Sequence, residues 1–347
     1  MKVAIITDQH FGARKNSKLF HDYFLKFYKD VFFPTILKEG ITTVVDMGDT
    51  FDSRKGIDFA ALAWAKDNYY DTLEKMGVTA HTIVGNHTAY YKNTNDINAV
   101  DLLLREYENV HVYSEPTEVQ LDKLKVLFIP WINEGNHEQT FKKIKSTKCT
   151  CAMGHLEFSG FPPYRGFTMQ EGMDSKAFDK FELVFSGHYH TRSDNGKIFY
   201  LGNPYEIYSN DIGDTRGFHI FNTETLSLQS VNNPYTMHET IYYEDNDYQT
   251  FDSRMYEDKI VKLVVKKKTS EKKFEKFVDK LYATDIAELK IVESFADPTT
   301  LNEEYDLESE DTVSILNKYV DDFEDSINKA SVKRIIQQIY KQACELA

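Results

Sequence analysis

Residues 82–90, TIVGNHTAY, carry an apolar, partly β-branched run straight into a glycine, an amide and an imidazole. A short run of this kind reads as a strand, and a glycine at its end lets the chain turn sharply with no Cβ in the way. The construction recurs along the chain. Residues 3–7 precede Asp8 and His10, and 42–46 precede Gly48 and Asp49. Residues 150–153 precede Gly154 and His155, and 183–185 precede Gly187, His188 and His190. Residues 125–129 and 198–201 are further strand-like runs. Helices are predicted between the early runs, over 17–38, 58–76 and 95–107. In the second, Phe59, Leu62, Tyr69, Leu73 and Met76 recur at roughly helical spacing. Alternating strands and helices predict an α/β fold with largely buried strands. In such folds ligands collect at the carboxyl ends of strands, where this sequence puts its polar residues.

With 347 residues the chain is long enough for two domains, or for one large α/β domain with an appendage. Hydrophobic residues make up 41% and charged residues 28%, the balance of a soluble globular protein. No apolar run approaches the roughly 18–20 residues that a membrane span needs. The first strand-like run begins too early to leave room for a signal peptide. Three cysteines do not make a disulfide framework, so the expected compartment is the reducing cytoplasm. Cys149 and Cys151 read as two small side chains on one strand face. His21, His81, His111, His137, His219 and His238 have no second motif element beside them and read as structural or exposed. The net charge of −14 argues against a general nucleic-acid binder, because phosphate contacts need Lys and Arg. Charge is uneven, however: 259–280 is lysine-rich and 285–325 is acidic. A DNA-binding surface would therefore be local, assisted by metal ions, or shared with a partner.

Five motifs end five of the runs: DQH (Asp8, His10), GDTFD (Asp49, Asp52), GNH (Asn86, His87), GHLEF (His155) and GHYH (His188, His190). In an extended stretch His188 and His190 project to the same side. Two divalent ions a few ångströms apart need a bridging carboxylate and separate terminal ligands. Asp49 suits the bridge. Asp8, His10 and His190 would complete one shell, and Asn86, His155 and His188 the other. Imidazole, carboxylate and amide without cysteine suit two ions of the Mn²⁺ or Fe²⁺ type, with Mn²⁺ the first choice. Such ions supply a nucleophile and neutralise charge on a phosphoryl group. Tyr90, Tyr91 and Lys92 directly follow a ligand motif, and for a nucleic-acid substrate they are the expected contacts, the rings as stacking platforms.

Over roughly residues 1–220 this order of motifs resembles the calcineurin-like metallophosphoesterase superfamily. GDTFDSRKG, FIPW and the 201–221 stretch LGNPYEI…DTRGFHIF narrow the likeness to SbcD-type DNA repair nucleases, of which T-even-type phages carry a version of similar length. The resemblance implies an α/β fold: a two-sheet β-sandwich flanked by helices, with a small α+β capping domain and a C-terminal helical tail. The corresponding divisions are 1–235 for the nuclease domain, 236–296 for the cap, 297–311 for an acidic linker and 312–347 for the tail. It further implies a Mn²⁺-dependent DNA exo/endonuclease in double-strand-break repair and recombination, a homodimer partnered by an SMC-like ABC ATPase with a coiled coil. The location would be cytoplasmic, that of the host cell for a phage protein. In the tail, apolar residues step by three and four, and Leu316, Phe323, Ile335 and Ile339 are the expected anchors on the ATPase. His87 is then a catalytic group rather than a ligand, acting on the transition state or the leaving oxygen. The acid that usually follows it is replaced by Thr88, so Asp52 is the candidate carboxylate beside His87. The alternative is a phosphomonoesterase or phosphodiesterase of the same superfamily acting on a small molecule or protein. Against it, GDTFDSR lacks the Val-Asp-Arg-Gly ending typical of Ser/Thr phosphatases.

Overall fold

The computed structural model describes residues 1–293 and, beyond them, 320, 328–329, 331–336 and 339. The chain forms two compact units, Met1–Val292 and Glu293–Ala347. In the first, two six-stranded sheets are built from short, mostly parallel strands. The strands follow in the order β1 (Lys2–Ile6), β2 (Thr43–Asp46), β3 (Thr79–Ile83), β4 (Ala89–Tyr91), β5 (Thr94–Asn98) and β6 (Val110–Tyr113). Next come β7 (Thr117–Leu121), β8 (Leu124–Ile129), β9 (Cys151–His155), β10 (Leu183–Gly187), β11 (Ser193–Asp194) and β12 (Ile198–Tyr200). The series continues with β13 (Gly217–Asn222), β14 (Ser227–Asn232), β15 (His238–Glu244), β16 (Ile260–Lys267) and β17 (Glu288–Glu293).

The first sheet has the order β14-β13-β1-β2-β3-β6 and the second β11-β12-β10-β9-β8-β7. Within them β1, β2, β3 and β6 run parallel, as do β8, β9, β10 and β12. Period-two alternation explains why these strands read as unbroken apolar runs. Val3, Ile5, Val45 and Ile83 face Val126, Phe128, Met153 and Phe185 between the sheets. Their neighbours Ala4, Ile6, Val44 and Ala80 pack against helices on the outer face of the first sheet. Leu127, Ile129, Ala152 and Val184 do the same on the second, against Ile144, Phe158 and Phe178.

Two long helices cover the first sheet. One runs through Lys18–Phe27, a π-helical turn Tyr28–Phe32 and Phe33–Lys38; the other through Phe59–Ala65, a second π-helical turn Lys66–Tyr70 and Asp71–Lys75. Both agree with the sequence reading. The stretch 95–107 does not. Its first part is β5, paired antiparallel to β4, and the helix is only Ala99–Leu103. Asn98 is the reason: its side chain accepts from Asp101 N–H and caps the helix there. Cys149 and Cys151 also fall on different sides, in separate cores, because β9 begins only at Cys151 and alternation does not reach back to 149. A third sheet, β15-β16-β17, carries the helix Glu271–Tyr282 on a core of its own, with Phe274, Phe277 and Leu281 packed on Ile241, Val261 and Leu263. No described helix is long and apolar enough to cross a membrane.

Candidate metal centre

The parallel strands of both sheets end at one edge, and the predicted ligands meet there. Asp8 and His10 follow β1, Asp49 follows β2, Asn86 and His87 follow β3, His155 ends β9, and His188 and His190 follow β10. Close backbone approach makes two glycines necessary. A Cβ on Gly85 would collide with the Asp49 carboxylate, and one on Gly187 with the Thr7 hydroxyl. Asp8, His10, Asp49 and His188 themselves adopt φ of 53°, 46°, 52° and 82°, in the left-handed region that L-residues avoid. Strain repeated at four such residues is retained only where the surrounding structure enforces it, a pattern of functional sites.

Asp8, His10 and His190 form one group whose donor atoms lie within 4.8 Å of one another, and Asp49, His155 and His188 form a second. Asn86 Oδ1 joins the second, 2.9 Å from His155 Nε2 and 3.0 Å from His188 Nδ1. His155 Nε2 is also 3.2 Å from Asp49 Oδ2, and His10 Nε2 is 3.1 Å from His190 Nε2. The opposite ring nitrogens are backed by acceptors. His155 Nδ1–H donates to Met47 O at 2.9 Å, and Asp52 Oδ1 lies 3.0 Å from His10 Nδ1. A backed imidazole fixes its tautomer and turns its other lone pair inward, the arrangement of metal-ligating histidines.

Electrostatics agree. Burial penalises charge on His155, yet the Asp49 carboxylate overrides it and brings the imidazole up to about 9. Burial likewise works against ionised Asp49, and His155, then His87, pull it well below the usual carboxylate range. His190 is held well below its ordinary value by burial, then by His10 and Arg216. Buried carboxylates facing imidazole nitrogens form a donor set suited to divalent cations, whose binding would displace the proton that His155 carries.

His87 lies beside the first group, its ring 4.9 Å from His10. Its Nδ1–H donates to the main-chain carbonyl of Asp52 at 2.7 Å. The expected partner residue is therefore present, but through its backbone; its carboxylate is spent on His10 instead. Thr88 does not face the imidazole. Buried, it accepts from Gly85 N–H at 3.0 Å and donates to Gly85 O at 3.1 Å, stapling the turn.

Family matching and chain-wide similarity agree with this geometry. Residues 1–192 match the family model described as calcineurin-like phosphoesterase. The chain is also similar to exonuclease subunit 1 of Enterobacteria phage T4, at 31% identity over 99% of this chain and 100% of that one. The chain belongs to the calcineurin-like phosphoesterases. It is a metal-dependent phosphodiesterase, a hydrolase, of the nuclease-like branch that the phage relative represents. Two solved structures are more distant. A dimetal phosphatase from Danio rerio is 12% identical, with TM-score 0.39 over 63% of this chain and 91% of that one. An archaeal phosphodiesterase is 14% identical, with TM-score 0.34 over 67% and 100%. Likenesses of that degree add nothing to the assignment.

This calcineurin-like phosphoesterase also uses residues that the sequence reading passed over. Gln9 lies buried between two candidate ligands: it donates from Nε2 to Asp46 Oδ2 at 2.8 Å and accepts from Tyr28 OH at 2.6 Å. Asp46 in turn accepts from Thr50 Oγ1 at 2.6 Å and Gly48 N–H at 3.2 Å, tying the Asp8 and Asp49 loops together. Burial pushes Asp46 up to about 7 against those hydrogen bonds, the strongest from Thr50. The buried Arg216 guanidinium donates to the His190 carbonyl and to Asn203 Oδ1, and pairs with Asp211 at 2.9 Å and Asp214 at 3.2 Å. A signal existed for Asp46, a carboxylate ending an otherwise apolar strand. Arg216 had only its place in the resembling 201–221 stretch.

Proposed function

We infer that this chain is the Mn²⁺-dependent DNA exo/endonuclease subunit of a double-strand-break repair and recombination complex, with two divalent ions at the centre described above. One observation carries the reading: imidazole nitrogens, carboxylates and the Asn86 amide from two sheets converge in two adjoining groups, with outer partners that turn the His10 and His155 lone pairs inward. Asp8, His10 and His190 would hold one ion, Asn86, His155 and His188 the other, and Asp49 would be shared between them. Bound there, the ions supply charge neutralisation and an activated nucleophile for phosphodiester hydrolysis. Around them, His87 is kept in register by its bond to the Asp52 carbonyl, and in its protonated form it gives the Nε2 proton to the leaving oxygen. Asp52 acts through His10, orienting that ligand.

Support for the wider assembly comes from exposed side chains. Tyr90 and Tyr91 are 41% and 50% exposed on β4 and, with Lys92, suit a DNA strand. The T4 relative is named a subunit, which supports a partner, here an SMC-like ABC ATPase with a coiled coil. Of the four proposed anchors, Ile335 and Ile339 are exposed, and Leu316 and Phe323 lie outside the described residues. Apolar Phe59, Ile97 and Leu102 are exposed on and beside the second long helix and the Ala99–Leu103 helix, and favour a homodimer. The divisions at 235/236 and 296/297 and the acidic linker 297–311 belong to the same proposal. The test is Mn²⁺-dependent nucleotide release from duplex DNA, run beside a chromogenic phosphomonoester and phosphodiester. Release from DNA is the expected result. Turnover of a small ester with no cleavage of DNA, even with the ATPase present, would instead make this a small-molecule phosphoesterase.

A further inference from the structure

A cavity of about 570 Å³ opens beside the centre, lined by Trp131, Asn133, His137, His155, Glu157 and Met173 among others. His155 belongs to the candidate centre, and Glu157 Oε1 lies 3.8 Å from His188 Nε2, so the cavity is continuous with it. The half-buried Trp131 ring is 5.0 Å from the His188 ring. Its main chain is pinned from three directions: Trp131 N–H donates to Val84 O at 2.8 Å, and its carbonyl accepts from Asn95 Nδ2 and Asn136 Nδ2, each at 2.9 Å. Asn133 Nδ2 donates to Asn95 Oδ1 at 2.9 Å and completes the cluster. Two buried asparagines thus hold the backbone of one tryptophan and a third braces one of them, while among the described residues no partner takes its indole N–H. Asn95 lies on β5, in the hairpin that carries Tyr90 and Tyr91.

The volume is that of a small-ligand pocket. The carboxylates of Glu157 and Glu134 repel a phosphate but accept from exocyclic amines. An indole whose main chain is held in place, carboxylate acceptors in the lining and a phosphodiesterase centre next door describe a base and not a phosphate. We propose that this cavity seats the nucleobase adjoining the phosphodiester presented to the centre, stacked on Trp131. It rests on the nuclease reading above.

The experiment is a cycle on the full chain with Mn²⁺. Wild type, Trp131→Ala and Trp131→Phe each cleave oligonucleotides that are intact or abasic at single positions flanking the cut. Wild type is expected to lose about tenfold or more in kcat/KM when the base at one flanking position is missing. Trp131→Ala is expected to show that loss on intact DNA and little further loss on the abasic strand, and Trp131→Phe to keep most of the discrimination. Contacts that are one and the same give such non-additivity. Two results overturn the proposal alone: wild type cutting abasic and intact strands equally fast, or Trp131→Ala slowing both by the same factor, as a merely structural role would. If wild type cleaves no oligonucleotide, the nuclease reading fails first and the proposal goes with it.

Discussion

At Thr88 a hydroxyl does the work of holding the Gly85–Thr88 turn, on which Asn86 and His87 ride. Thr88→Val keeps the shape and leaves the Gly85 N–H without its partner, so about 1–3 kcal/mol of stability should be lost. Urea titration checks this through a lower midpoint at unchanged slope. His87→Ala should slow cleavage by about 10²- to 10⁴-fold, the usual worth of a positioned proton donor, with Mn²⁺ affinity kept. Asp52→Asn should differ, weakening Mn²⁺ binding or activity by about 10- to 100-fold because its carboxylate backs a candidate ligand, His10. Calorimetric Mn²⁺ titrations of the two variants separate the roles. Away from the centre, burial and then Arg192 push the His219 imidazole down to about 3. The native state therefore stays unprotonated where the unfolded chain, near 6.5, takes up a proton. Between pH 7.5 and 5 this group alone should remove about 2 kcal/mol of stability, a loss that His219→Gln abolishes in paired melts. At this scale the ligand types were legible, since chemistry restricts them. The roles of Gln9 and Arg216 were not, because each acts through a contact between residues distant in sequence.

Among elements, the parallel strands were legible because burial on both faces leaves a β-branched, apolar signature that no exposed helix shares. The hairpin β4–β5 was not. Ile97 on β5 also falls on the helical stripe of Val100, Leu103, Leu104 and Tyr107, and the Asn98 cap decides where the helix begins. The edge strand β14 was missed for the opposite reason: it is largely exposed and carries few apolar residues. The tail from 312 shows clear helical periodicity in sequence, yet too little length to be stable alone in water. Deleting 312–347 should leave a folded, metal-binding protein that no longer co-purifies with the ATPase. Undiminished co-purification would mean that the two apolar stripes pack on the chain itself.

Across the two six-stranded sheets, five loops come to one edge, and the candidate centre draws its residues from both. The first sheet provides Asp8, His10, Asp49 and Asn86, the second His155, His188 and His190. The sequence order of the motifs carried that information through the family likeness; the pairing of sheets that makes it a site is a property of the fold. A carboxylate bridge at Asp49 between two ions is read by Mn²⁺ titration with electron paramagnetic resonance on the full chain and on Asp49→Asn. Wild type should bind two Mn²⁺ per chain and give the signal of a spin-coupled pair, which Asp49→Asn loses. A single ion per chain, or two ions whose signals stay uncoupled in the wild type, would contradict it.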